Sequence, residues 1–206
     1  MPRRSTSVLR VIRTLVLLCL FGSLLGVDAR AAPEWQRRFD VVVTPSADLA
    51  RARVSVRFTA LRPRRMFLRD RGALRAVRLL PGSGWTVRGG AFVAPAGSGA
   101  APPFAYDVDL KVLEKSLGSG RVRRVGRDLL VHPGGLIPRL GRRPSDTGAT
   151  VRFVCPGGIQ AATAWPQIAG GQHPHHYELP DAGLLRDGWL ALGRFSPHTV
   201  SVAGST

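Results

Sequence analysis

The densest group of chemically competent side chains is the stretch AGGQHPHHYELPD, residues 169–181. There His173, His175 and His176 fall within four positions of a chain that has five histidines. Imidazoles so close together are donors that zinc, copper or nickel would take. The local backbone works against a built site. In an extended chain His175 and His176 project to opposite faces, Pro174 stiffens the approach, and Glu178 is the nearby candidate for a further ligand. The stretch therefore reads as a solvated loop between two strands that binds metal weakly, with His173, His175 and His176 as the candidate ligands. No cofactor is expected.

Other chemistries leave less trace. Metal-assisted hydrolysis on a helix needs H-E-x-x-H, which places two ligands one turn apart with a glutamate as base, and this pattern is absent. His132 precedes Pro133 and His198 follows Pro197, so both read as turn residues. The nucleophile elbow G-x-S-x-G is also missing, and GSGW at 82–85 reads as a hairpin turn. Gly-Gly pairs begin at 89, 134, 157 and 170, but none opens a phosphate-binding loop, which would also need a helix N-terminus behind it. Cys155, in VRFVCPGG, reads as a buried strand-end thiol, with no spacing that assigns it a histidine. No catalytic residue is expected.

The elements that would carry these residues are mostly strands. In RARVSVRFTAL, Val54, Val56 and Phe58 face one way while Arg53, Ser55, Arg57 and Thr59 face the other, the period of two of a half-buried strand. FDVVVTP, MFLRD, AVRLLPG, WTVRGGAFVAPAG and FAYDVDLKVL continue in the same style, as do DLLVHPGG, TGATVRFVCPGG, HYELPD, GWLALGRF and HTVSVAG. Each is a short β-type run closed by Gly, Pro or Asp. VLEKSLGSG is the best helical candidate, and its glycines end it quickly. GSGAAPPFA and RLGRRPSDTG read as connectors. The pattern predicts an all-β fold, an antiparallel β-sandwich of short strands with little helix.

The N-terminus reads differently. MPRRSTSVLRVIR carries four arginines and no acid, and runs into TLVLLCLFGSLLGV, an uncharged stretch too short for a comfortable membrane span. Ala29 and Ala31 supply an A-x-A cleavage site. Residues 1–31 are thus expected to be a signal peptide, and 32–206 a single exported domain, periplasmic or extracellular. Cleavage would remove five arginines and Asp28, leaving 25 basic and 12 acidic residues, a net charge of +13. It would also leave Cys155 without a disulfide partner. Such an excess draws a protein towards anionic envelope polymers. Specific nucleic-acid binding is not expected, because the arginines are scattered along strand-like runs rather than interleaved with aromatics on one face.

From residue 106 onward the order of features resembles the N-terminal β-domain of the secreted glycyl aminopeptidase-like zinc metallopeptidases. Tyr106 and Val108 match that family's Y-x-V strand. Ala162, Thr163, Ala164 and Pro166 match an A-T-A-L-P run in which Trp165 replaces leucine. Tyr177 opens the next element. Asp187, Gly193 and Phe195 keep a D-x-x-x-x-x-G-x-F spacing, with Gly188 and Trp189 in place of Ser and Pro. The resemblance implies a β-sandwich that packs against a thermolysin-like catalytic domain holding H-E-x-x-H and zinc. No ligand or base carries over, since no position here matches that motif. The chain is expected to be a fragment or stand-alone relative of the non-catalytic module, bracing a metallopeptidase catalytic domain or another partner. The alternative is a secreted binding module for extended peptides or envelope polyanions, and an enzyme in its own right ranks third.

Overall fold

Strand forms where the alternation is clearest. The computed structural model describes residues 37–97, 99–141, 147–168, 175–179, 181–186 and 188–195. The expected signal peptide, His173, Asp187 and the HTVSVAG run lie outside them. The first strands are β1 (Arg37–Pro45), β2 (Arg51–Thr59), β3 (Arg65–Phe67), β4 (Val77–Leu79), β5 (Thr86–Arg88), β6 (Ala91–Val93) and β7 (Phe104–Asp109). A helix, α1 (Leu110–Leu117), separates these from β8 (Val122–Val125), β9 (Asp128–Val131), β10 (Arg139–Leu140), β11 (Thr147–Phe153), β12 (Gln160–Thr163), β13 (His176–Leu179) and β14 (Leu190–Gly193).

Among the described residues these strands form three sheets, in the orders β13-β11-β1-β2-β7-β4, β10-β3-β6-β5 and β12-β14-β9-β8. The all-β expectation is borne out, and antiparallel pairing dominates. One pair departs from it: β1 and β11 run parallel, from Arg37 opposite Thr147 to Val43 opposite Phe153. Parallel neighbours cannot be joined by a hairpin. Here the connection is the long stretch that builds much of the rest of the domain.

Alternation fixes which residues face inward. Val54 and Val56 of β2 are fully buried while Arg51, Arg53 and Arg57 stay exposed. On β7, Phe104, Tyr106 and Val108 are buried in turn. The buried residues of all three sheets form one continuous core. Across it runs a column of rings: Phe58 and Trp85 at 5.8 Å between centroids, Trp85 and Phe104 at 4.4 Å, Phe104 and Phe92 at 5.2 Å, Phe92 and Tyr106 at 4.8 Å. Polar atoms in this column are satisfied. Trp85 Nε1–H donates to the Pro102 carbonyl at 2.9 Å, and the Tyr106 hydroxyl to the Leu136 carbonyl at 2.8 Å.

Two local departures from the sequence reading have clear causes. FAYDVDLKVL is not one strand, because the Asp109 carboxylate accepts from the amides of Lys111 and Val112 and so starts α1 at Leu110. Gly118, at φ 71°, closes the helix. Between MFLRD and AVRLL, residues Arg71–Ala76 form a 3-10 turn that buries Ala73 and Ala76.

Removing the Tyr106 hydroxyl would leave the Leu136 carbonyl buried without its donor. Tyr106→Phe should lose about 1–3 kcal/mol of stability in urea unfolding. A change under about 0.3 kcal/mol would show that the bond carries no such weight.

Candidate functional site

The histidine stretch takes its place at the edge of the six-stranded sheet. His176 begins β13 opposite Arg152 of β11, and the His175 carbonyl accepts from the Phe153 amide at 3.0 Å. Burial pushes the His175 imidazole below the usual histidine range, and a hydrogen bond with the Ala161 backbone partly offsets this. His175 thus ends the turn that leads into β13, and His176 opens the strand. Among the described residues, no group of three His, Cys, Asp or Glu side chains is placed to hold a metal ion.

The ATAWP run lies against this strand. Ala162 and Thr163 belong to β12, while the Pro166 carbonyl accepts from Glu178 and the Ile168 amide donates to the His176 carbonyl. Trp165 then meets Tyr177 edge-on at 6.1 Å, and Phe153 meets it at 5.9 Å. The Tyr177 hydroxyl donates to the Ala161 carbonyl at 3.3 Å. These contacts explain the aromatic substitution in the run: Trp165 supplies the apolar cover that Tyr177 needs. Gly193 is explained by a close approach, since a Cβ there would collide with the Asp128 carboxylate, which accepts from the Arg194 amide at 2.9 Å.

Cys155 sits just past β11, half-buried, and burial pushes its thiol up to about 11. The thiolate is the nucleophile, so at neutral pH this sulfur is inert.

A different place gathers polar groups around a concavity. A cleft open to solvent lies among the ends of β3, β10 and β11 and the 3-10 turn Ala182–Arg186. Ile137, Leu140 and Leu185 form its apolar floor, and Arg69, Arg139 and Asp181 stand around it. Local folding sets this geometry. The His132 Nδ1 accepts from the Gly134 amide at 3.3 Å, opening the turn Pro133–Gly135, and the Ile137 amide closes onto the Pro133 carbonyl at 2.7 Å. Arg69 N–H donates to the Gly134 carbonyl at 2.9 Å. A Cβ at 134 would stand 2.8 Å from the Arg69 Cβ, so only glycine lets the two backbones meet here. Asp181 accepts from the Gly183 amide at 2.6 Å and starts the 3-10 turn.

Thr147 also lines the cleft. It is 4% exposed, and among the described residues its hydroxyl has no hydrogen-bond partner. Burying a hydroxyl in this way costs about 1–3 kcal/mol. Among the described residues that line the cleft, the ionisable side chains are Arg69, Arg139 and Asp181. The sequence pointed elsewhere because these residues come from four separate segments and form no motif.

No protein-family model matches the chain, and no curated protein matches it in sequence. Solved structures do. An aminopeptidase N family protein from Idiomarina loihiensis superposes with a TM-score of 0.56 at 12% identity, over 75% of this chain and 29% of its own. The chain has the fold of a domain-sized part of an aminopeptidase. An M1 zinc metallopeptidase from Deinococcus radiodurans is a more distant match, at a TM-score of 0.43 and 14% identity, over 76% of this chain and 41% of that one. The resemblance read from residue 106 onward is therefore borne out in fold, as an aminopeptidase-type β-domain. The chain spans less than a third of the Idiomarina protein's length.

The thiol allows a direct check of this packing. Iodoacetamide labelling of Cys155 should accelerate about tenfold per pH unit between about pH 7 and 9.5. A rate that levels off near pH 8.5, as for an ordinary thiol, would contradict the burial assigned to Cys155.

Proposed function

We propose that this chain is a non-catalytic, exported β-module that packs against a zinc peptidase catalytic domain and braces it. The observation that carries the reading is the fold shared with part of an aminopeptidase N family protein. The sequence adds two supports: it contains no H-E-x-x-H, and it opens with a basic stretch, an apolar run and an A-x-A site suited to export. The side chains favour the same role. Burial holds Cys155 as a thiol, and among the described residues no three His, Cys, Asp or Glu side chains are grouped to hold a metal ion.

The zinc and the general base belong, on this reading, to the partner domain. The module contributes a stiff, disulfide-free framework whose continuous core holds its surface in one shape. A second reading, a binding module for extended peptides, is favoured by the arginine-flanked cleft. The two are compatible, since a module bordering a peptidase would meet extended chains.

Genomic DNA beyond codon 206 and the neighbouring frames should encode a catalytic domain carrying H-E-x-x-H. Co-expressed with this chain, that domain should co-elute with it and lose peptidase activity or solubility when the chain is omitted. The absence of any such frame, or a catalytic domain fully active and monomeric without the chain, would overturn the proposal.

A further inference from the structure

The charges of the domain are unevenly placed. Residues 49–106 carry eleven arginines and a single acid, Asp70, and Arg121 from outside that stretch stands 3.9 Å from its carboxylate. All eleven arginines are exposed. The strands divide them between faces of different character.

On the outer face of the six-stranded sheet, arginines are interleaved with carboxylates. Arg53 meets Asp107 at 2.9 Å and Arg38 meets Asp40 at 3.4 Å, while Arg57 stands opposite Asp40 and Arg78 opposite Asp107. The sheet β10-β3-β6-β5 is built otherwise. Met66 and Phe92 turn into the core, so alternation sends Arg65, Phe67, Ala91 and Val93 to the other face. Arg139 stands opposite Phe67 and Arg88 opposite Ala91, and each edge strand thereby adds a guanidinium. Three exposed arginines share this face, and its four strands contain no acid. Among the described residues none of the three makes an ion pair. Asp181, in the cleft that Arg139 also lines, is engaged by the Gly183 amide. Strand spacing puts Arg88 and Arg139 roughly 14 Å apart at the backbone, with Arg65 one row along between them.

An exposed guanidinium holds a single anion weakly, because water and salt screen the pair. Three on one face gain when the anions are linked, since the second and third contacts then form within one complex. The planar donor forks of arginine fit phosphate oxygens bidentately. The residues between them argue against two other occupants. Ala91 is buried and Phe67 and Val93 are partly buried, so no apolar side chain stands proud for base stacking or for insertion into a bilayer.

We propose that the outer face of this sheet binds an anionic polymer of repeating phosphate groups without bases, along a track marked by Arg139, Arg65 and Arg88. The inference goes beyond the bracing role and is tested separately from it.

The test uses protein recovered after expression of the full chain, titrated calorimetrically with long-chain sodium polyphosphate in about 0.1 M salt. Polyphosphate should bind, and the triple variant Arg65→Gln, Arg88→Gln, Arg139→Gln should weaken it at least about tenfold. The triple variant Arg51→Gln, Arg57→Gln, Arg78→Gln removes the same charge from the opposite sheet and should weaken it less than about threefold. All six arginines are exposed, so both variants should keep the parent melting temperature. If either melts early, the single variants replace it, each weakening binding about twofold on the proposed face and leaving it unchanged on the other. Equal losses from the two faces would reduce the effect to net charge and overturn the site. Failure of polyphosphate to bind, or tighter binding of polyglutamate, single-stranded DNA or phosphatidylglycerol vesicles, would overturn the assigned occupant.

Discussion

The Tyr106 hydroxyl, buried in the core and donating to the Leu136 carbonyl, is the interaction on which the arrangement most depends. Burial pushes this phenol well above the usual tyrosine range, so it remains a donor at any physiological pH. Its ring belongs to the aromatic column on β7, and its acceptor belongs to the segment that follows β9. One bond thus ties the six-stranded sheet to the loop Pro133–Ile137. Gly134 and Ile137 of that loop line the arginine-flanked cleft, so the shape of the cleft follows from a contact in the core.

The same economy appears along the other edge of the molecule. Tyr177 is covered by Trp165 and Phe153, and its hydroxyl reaches the Ala161 carbonyl. Each tyrosine therefore combines a packed ring with a satisfied polar end, which makes it a joint between separate strands. The charged residues play a lighter part. Arg53 with Asp107 and Arg124 with Glu114 make exposed or half-exposed pairs, and such pairs contribute little to stability. Many of the arginines face solvent on the outer side of strands, as the alternation in β2 requires.

Much of this was legible in the sequence, and the reason is local. Strands such as β2 and β7 declare themselves because inward and outward residues alternate within a single segment. Tyr106, Tyr177, Trp165 and Gly193 could be singled out by order and spacing, and each has an identifiable packing role. What was not legible is non-local. Nothing in FDVVVTP or TGATVRFV announces that β1 and β11 pair in parallel. The helix expected in VLEKSLGSG is present, but the Asp109 cap starts it at Leu110, two residues earlier than that run, and so ends β7 within FAYDVDLKVL. The cleft draws Arg69, Arg139, Thr147 and Asp181 from segments that look like strand ends and connectors. The histidines drew notice by their density; His175 directly precedes β13 and His176 opens it, while His173 lies outside the described residues.

On the proposed function the chain supplies framework, and bond cleavage belongs to a partner domain. The most direct measurement is hydrolysis of aminoacyl p-nitroanilides and short peptides by the purified protein with added zinc. No turnover above the protein-free control is expected. Zinc-dependent turnover that a chelator abolishes would contradict it.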